Sequence, residues 1–218
     1  MGIAELDMQH QILYLKANII LYGDAASEAL SQQLAADIEG HWNEPAAKVF
    51  IRSVAYRVQF QMTGRYAPDL QPEDVYENDD PRNNYFRIEA FSGLDISFVD
   101  GLGCNTGYFK LDNLLNNSTT AAHEFGHTLG LDHPGTLDIR GMGKPGIMYP
   151  RGTITDPQYQ YDPAAAPGSK GGTLNPFHRS VLQADIDDLE LPARFSRNSS
   201  TAVIGEFSSV WHTKHAAP

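Results

Sequence analysis

The residues best equipped for chemistry lie together in His123-Glu124-Phe125-Gly126-His127-Thr128-Leu129-Gly130-Leu131-Asp132-His133. Side chains four apart on an α-helix share a face, so His123 and His127 can turn both imidazoles towards one ion. Glu124 stands one position on, where it can reach the outer side of a water held by that ion. Gly130 falls where such a helix should stop, because glycine readily takes the left-handed backbone that ends helices. The reversed chain can then bring His133 back as a third ligand. Three protein ligands leave one position open, the pattern of catalytic zinc, whereas closed structural sites use four. Zinc lowers the pKa of bound water to roughly 7 and polarises a carbonyl as a Lewis acid. Glu124 can accept that water's proton and return it to a leaving amine. A lone His-Glu-x-x-His could be a surface ion-pair pattern, but with Gly130 and His133 added, chance supplies the set in on the order of one chain in 10⁵. The residues therefore point to hydrolysis with one catalytic Zn²⁺.

The elements that must position this segment are readable from periodicity. Residues 11–22 are apolar and β-rich and predict a first strand. Asp24 or Ser27 can cap a helix over residues 25–42, where Leu30, Leu34, Ile38 and Trp42 recur at helical spacing. Residues 48–62 predict one long or bent strand, residues 68–84 a Pro/Asp/Asn-rich loop, and residues 85–91 and 95–99 short strands. A strand at 108–111 leads to the helix that carries the histidines, from Ser118 or Thr119 to about Gly130. Residues 134–176 read as loop and residues 178–191 as a last helix with Val181, Leu182, Ile186 and Leu189 on its apolar face. Residues 193–218 read as a polar, solvated C-terminal tail. The order predicts an α+β domain in which helices pack on a mixed sheet.

Composition narrows the partners. The 218 residues, 41% hydrophobic and 20% charged, suit one soluble globular domain. A formal net charge of -11 repels phosphate backbones and so argues against nucleic-acid or anionic-membrane binding. No stretch approaches the roughly 18 uninterrupted apolar residues of a membrane span. The opening residues MGIAELDMQH carry two acids and no early Lys or Arg, so they do not read as a signal peptide. A single cysteine, Cys104, excludes an internal disulfide framework.

The segment 123–133 resembles the metzincin signature HExxHxxGxxH, in wording closest to the matrixins. Gly146-Ile147-Met148-Tyr149-Pro150 is similar to the methionine-bearing turn of the same family. The resemblance implies a zincin/metzincin-like fold with a mixed, mostly parallel twisted sheet, backing and active-site helices, and a small irregular C-terminal subdomain ending in a helix. It implies a catalytic domain over residues 1–192, divided near residue 130, and a zinc endopeptidase acting on protein or peptide substrates, expected as a monomer. Met148 would form a hydrophobic floor under the histidines without ligating. The family pairs an extended substrate with the sheet edge above the cleft, which here directs attention to residues 96–111 and, as candidate substrate-binding residues, to Gly103, Cys104, Asn105, Thr106, Gly107 and Tyr149.

Some positions depart from the matrixins. Pro134 after the third histidine is similar to the serralysin branch, which suggests a separate bacterial branch. Pro150 stands where serralysins and astacins carry a zinc-approaching tyrosine. The segment that holds a second zinc and a Ca²⁺ in matrixins is not recognisable, although Asp95, Asp100 and Asp112 are available acids. Cys104 reads as an ordinary thiol rather than a cysteine switch, His212 and His215 as part of a solvated tail, and His10 and His41 as structural. Two other classes fit parts of the sequence: a non-catalytic module retaining the metal pocket, against which intact Glu124 argues, and a secreted or delivered toxin domain, towards which residues 175–191 point.

Overall fold

A computed structural model describes residues 1–216 of the chain. The strands are β1 (Gly2–Asp7), β2 (Ile12–Tyr22), β3 (Lys48–Ile51), β4 (Val54–Tyr66), β5 (Asn83–Glu89), β6 (Phe98–Val99), β7 (Thr106–Lys110) and β8 (Thr201–Ile204). The helices are α1 (Glu28–Asn43), α2 (Pro72–Tyr76), α3 (Thr120–Thr128), α4 (Gln183–Asp187) and α5 (Leu191–Arg194). One sheet runs β3-β4-β2-β5-β7-β6, parallel through β4, β2, β5 and β7, with β3 and β6 antiparallel at the two ends. This is an α+β fold with a mixed sheet, as the sequence predicts.

The order of burial follows from the strand period. In β2 the side chains of Leu13, Leu15, Ala17 and Ile19 alternate inwards and meet Leu34, Ile38 and Trp42 of α1. Ser27 caps α1 by accepting from the Leu30 N–H at 3.2 Å. Near its end β2 is buried on both faces, since Ile20, Leu21 and Tyr22 are all inaccessible. The second face belongs to a smaller cluster of Ile20, Tyr22, Val75 and Tyr85.

That second face corrects the expectation of a solvated tail. β8 pairs antiparallel with β1, which itself pairs with the first half of β2. Beyond β8 the Glu206 N–H donates to the Gly103 carbonyl at 2.8 Å and the Ser208 N–H to Asn105 Oδ1 at 2.7 Å. Trp211 stacks on Tyr22 at 4.6 Å, and His215 on Tyr108 at 3.9 Å. His212 Nε2 meets the Asp100 carboxylate at 2.9 Å. The physical reason is the uncovered aromatic face of β2, β5 and β7, which residues 205–216 remove from water. The predicted helix over 178–191 is also divided: it is extended around Ser180–Leu182, helical over α4, and broken at Glu190, which takes a left-handed backbone at φ 49°. The predicted strand over 48–62 folds into the hairpin β3–β4, turning at Arg52 and Ser53 with φ 51° and 66°.

Candidate metal centre

Every residue of α3 is buried, and the helix is tied to α1 by Trp42, whose Nε1–H donates to the Ala122 carbonyl at 3.1 Å. Trp42 also meets the Phe125 ring edge-on at 6.1 Å. The helix ends in a Schellman motif: the Leu131 N–H reaches back to the Gly126 carbonyl and the Gly130 N–H to the His127 carbonyl, at 3.1 and 3.0 Å. Gly130 takes φ +95°, which turns the chain towards the ligand face. A Cβ there would meet nothing within 4 Å, so Gly130→Ala carries only backbone strain. We expect it to cost about 1–2 kcal/mol in thermal unfolding and to weaken zinc affinity by misplacing His133.

The turn brings the three imidazoles together. His123 Nε2 lies 3.1 Å from His133 Nε2, and His127 Nε2 lies 3.2 Å from each of the others. A tetrahedral zinc at its usual nitrogen distance sets such separations at about 3.3–3.4 Å, so the triad fits the ion within a few tenths of an ångström. The outer nitrogens fix the tautomer. His123 Nδ1 sits 2.8 Å from the Ile147 carbonyl and His127 Nδ1 sits 2.7 Å from the Leu131 carbonyl. A carbonyl only accepts, so each Nδ1 carries the proton and each Nε2 offers a lone pair. Burial pushes all three histidines below their ordinary pKa, most strongly His123, which keeps them neutral and able to ligate. Among the described residues this triad is the group of three or more His, Cys, Asp or Glu side chains close enough to share an ion.

Glu124 lies beside the triad, buried to 7% exposure. Burial pushes its carboxyl up to about 8, opposed by the Arg179 guanidinium and the Val99 N–H. Arg179 is a site residue that sequence reasoning missed, since nothing marks an arginine in a loop 56 positions downstream of His123. It is 5% exposed; its Nε donates to Thr119 Oγ1 at 3.0 Å and its Nη1 to the Tyr149 carbonyl at 3.1 Å. Nη1 also lies 3.0 Å from His123 Nδ1, but with that nitrogen protonated the contact is a close approach of two donors. Burial pulls the guanidinium down to about 10, Glu124 opposes this, and Arg151 adds to it.

Met148 packs under α3. A Cβ on Gly126 would come 2.4 Å from Met148 Sδ and 3.2 Å from Trp42 Cζ2, so a side chain at this position would force both neighbours to move. We expect Gly126→Ala to destabilise by about 1–3 kcal/mol, and a Gly126→Ala/Met148→Ala double variant to lose less than the sum of its parts in denaturant titration. The turn itself is held by Asp185, whose Oδ2 accepts from Leu182 N–H at 2.7 Å and Ile147 N–H at 3.5 Å. A carboxylate in the first turn of a helix could have flagged Asp185 in the sequence, but not its reach to Ile147.

A cleft of about 340 Å³ opens beside Glu124 and two of the three histidines, His123 and His133. Its lining includes Ile96 and Ser97, the segment Pro150–Gly152, and His123, Glu124, His133 and Arg179. Residues 103–107 are not brought to this cleft. Gly103 donates its N–H to the His127 carbonyl at 2.7 Å, a second donor on the carbonyl that already accepts from Gly130 at the end of α3. Asn105 and Thr106 hold residue Ser208, and Gly107 packs against Phe98 in the sheet. Cys104 is a free thiol beside Glu206, and burial pushes its pKa up. Tyr149 contributes its carbonyl to Arg179. The edge strand next to the site is β6, preceded by the cleft-lining Ile96 and Ser97.

No protein-family model and no curated protein matches the sequence. Among solved structures, the chain is similar to archaemetzincin from Methanopyrus kandleri with a TM-score of 0.41 and 13% identity, over 83% of this chain and 97% of that one.

Proposed function

We propose that the protein is a zinc-dependent peptidase of the zincin class, hydrolysing peptide bonds of extended protein or peptide substrates. The observation that carries this reading is three Nε2 lone pairs converging at 3.1–3.2 Å beside a buried carboxylate in an open cleft. His123, His127 and His133 hold the ion, which when bound supplies a Lewis acid and an acidified water. Glu124 is the general base and then the general acid, taking a proton on its carboxylate and delivering it to the leaving amine. Its burial raises its proton affinity and suits that exchange. Ile147 and Leu131 hold the ligand rings in register through their carbonyls. Met148 supports α3 from below. An extended substrate would align along β6, whose outer edge is the end of the sheet. In this reading the substrate contacts come from Ile96 and Ser97 and from the segment after Met148.

The test is to measure bound zinc and to digest an unbiased peptide library with the purified protein, with a chelator, and after zinc is restored. The expected result is one zinc per chain and cleavage that disappears and returns with the metal. A zinc-loaded protein that leaves the library intact would overturn the proposal.

A further inference from the structure

The cleft is cationic on a chain whose net charge is -11. Arg179 and Arg151 both line it, together with one acid, Glu124. Arg179 is buried, yet it makes no carboxylate contact within 4.0 Å among the described residues; its Nε and Nη1 go to Thr119 Oγ1 and the Tyr149 carbonyl. Of the five guanidinium N–H donors, the two on Nη2 have no protein acceptor among the described residues. The Arg179 Nη2 group is not among the buried unpaired polar atoms, so its two N–H donors face the open cleft, where an anion can reach them. Arg151 is exposed at the cleft wall and close enough to Arg179 to disfavour its charge. Of the other charged groups nearby, Asp95 is drawn to Lys110, its ion-pair partner, and only then to Arg151.

We infer that this cleft selects peptides bearing a carboxylate, held by the guanidinium groups of Arg179 and Arg151. The inference rests on the peptidase reading and names its substrate class. A planar carboxylate matches the fork of a guanidinium and can accept from two donors at once. The shared chemistry has two sources: an Asp or Glu side chain next to the scissile bond, or the terminal carboxylate of the peptide. An isosteric amide of either keeps one acceptor oxygen but loses the charge and turns an N–H donor towards the guanidinium fork, so the acid is the preferred member of each pair.

The experiment uses matched peptides: Glu against Gln, and Asp against Asn, at each position flanking the cleaved bond, and a free C-terminal acid against its amide. The zinc-loaded enzyme should favour the carboxylate member at least ~10-fold in kcat/KM, or about 1.4 kcal/mol, and the arm that shows the preference identifies the source. Arg151→Gln should shrink that ratio severalfold, and Arg151→Glu should reverse it. Arg179→Met risks misplacing His123, so Arg179→Lys, which keeps the charge and loses the fork, is the companion variant and should also shrink the ratio. Equilibrium binding of the same pairs to Glu124→Gln protein gives a readout independent of turnover and should show the same preference. Ready cleavage with ratios near one overturns the inference and leaves the peptidase reading intact. No cleavage, but tighter binding of the carboxylate member, overturns the peptidase reading alone. Neither cleavage nor preference overturns both.

Discussion

Replacing Glu124 by Gln should lower kcat/KM for any cleaved peptide by about 10²–10⁴-fold while zinc content stays at the wild-type level. The amide keeps the shape of the carboxyl group and so preserves the packing of a side chain that is 7% exposed. It cannot accept and return a proton. None of the three converging nitrogens belongs to Glu124, so metal analysis of the variant should match the parent. This separation distinguishes a proton-transfer role from a ligand role. A Glu124→Gln protein that cleaves at the parental rate would show that another group moves the proton. One that arrives without zinc would show that Glu124 is needed to build the site.

His127→Ala should abolish both zinc binding and cleavage, and should also remove the stabilisation that zinc confers. A ligand that binds only the folded state stabilises it by about 2.7 kcal/mol at a concentration 100 times its Kd. Wild-type Tm should therefore climb as zinc is added, and the variant's should stay flat. His127 is the informative choice because its ring is buried and held at Nδ1 by the Leu131 carbonyl, which aims its Nε2 lone pair at the point shared with its two partner histidines. His133 is exposed, so its replacement should leave a weaker two-histidine site. A Tm for His127→Ala that still rises with zinc would place the ion elsewhere.

The two arginines give the cleft a character that neither prediction depends on. In the proposed function Glu124 and the histidines carry bond cleavage, whereas in the further inference Arg179 and Arg151 bear on which peptides are cut. Keeping the two readouts apart, turnover for the first and carboxylate ratio for the second, lets each stand or fail alone.

What the sequence determined by itself is the part set by short-range geometry. The fourfold spacing of His123 and His127 needs only a helix to become one face. The glycine at 130 needs only its left-handed φ to reverse the chain, and the Schellman bonds from Leu131 and Gly130 close within five residues. The helix over α1 and the first strand were legible for the same reason, because Leu30, Leu34, Ile38 and Trp42 and the apolar run of β2 carry their own periods. Tertiary structure decided everything that depends on distant segments meeting. Periodicity cannot say that Ile147 would receive the proton of His123, or that an arginine at 179 would lie buried in the cleft. Nor could it place residues 103–107, where glycines that looked open to a substrate serve the end of α3 and the sheet interior. The polar composition of residues 193–218 was a fair guide to their own hydrophobicity, but not to the aromatic face that residues 205–216 cover. Trp211, His212 and His215 are ordered by Tyr22, Asp100 and Tyr108, partners more than a hundred residues away, and such pairings leave no local signal in the chain.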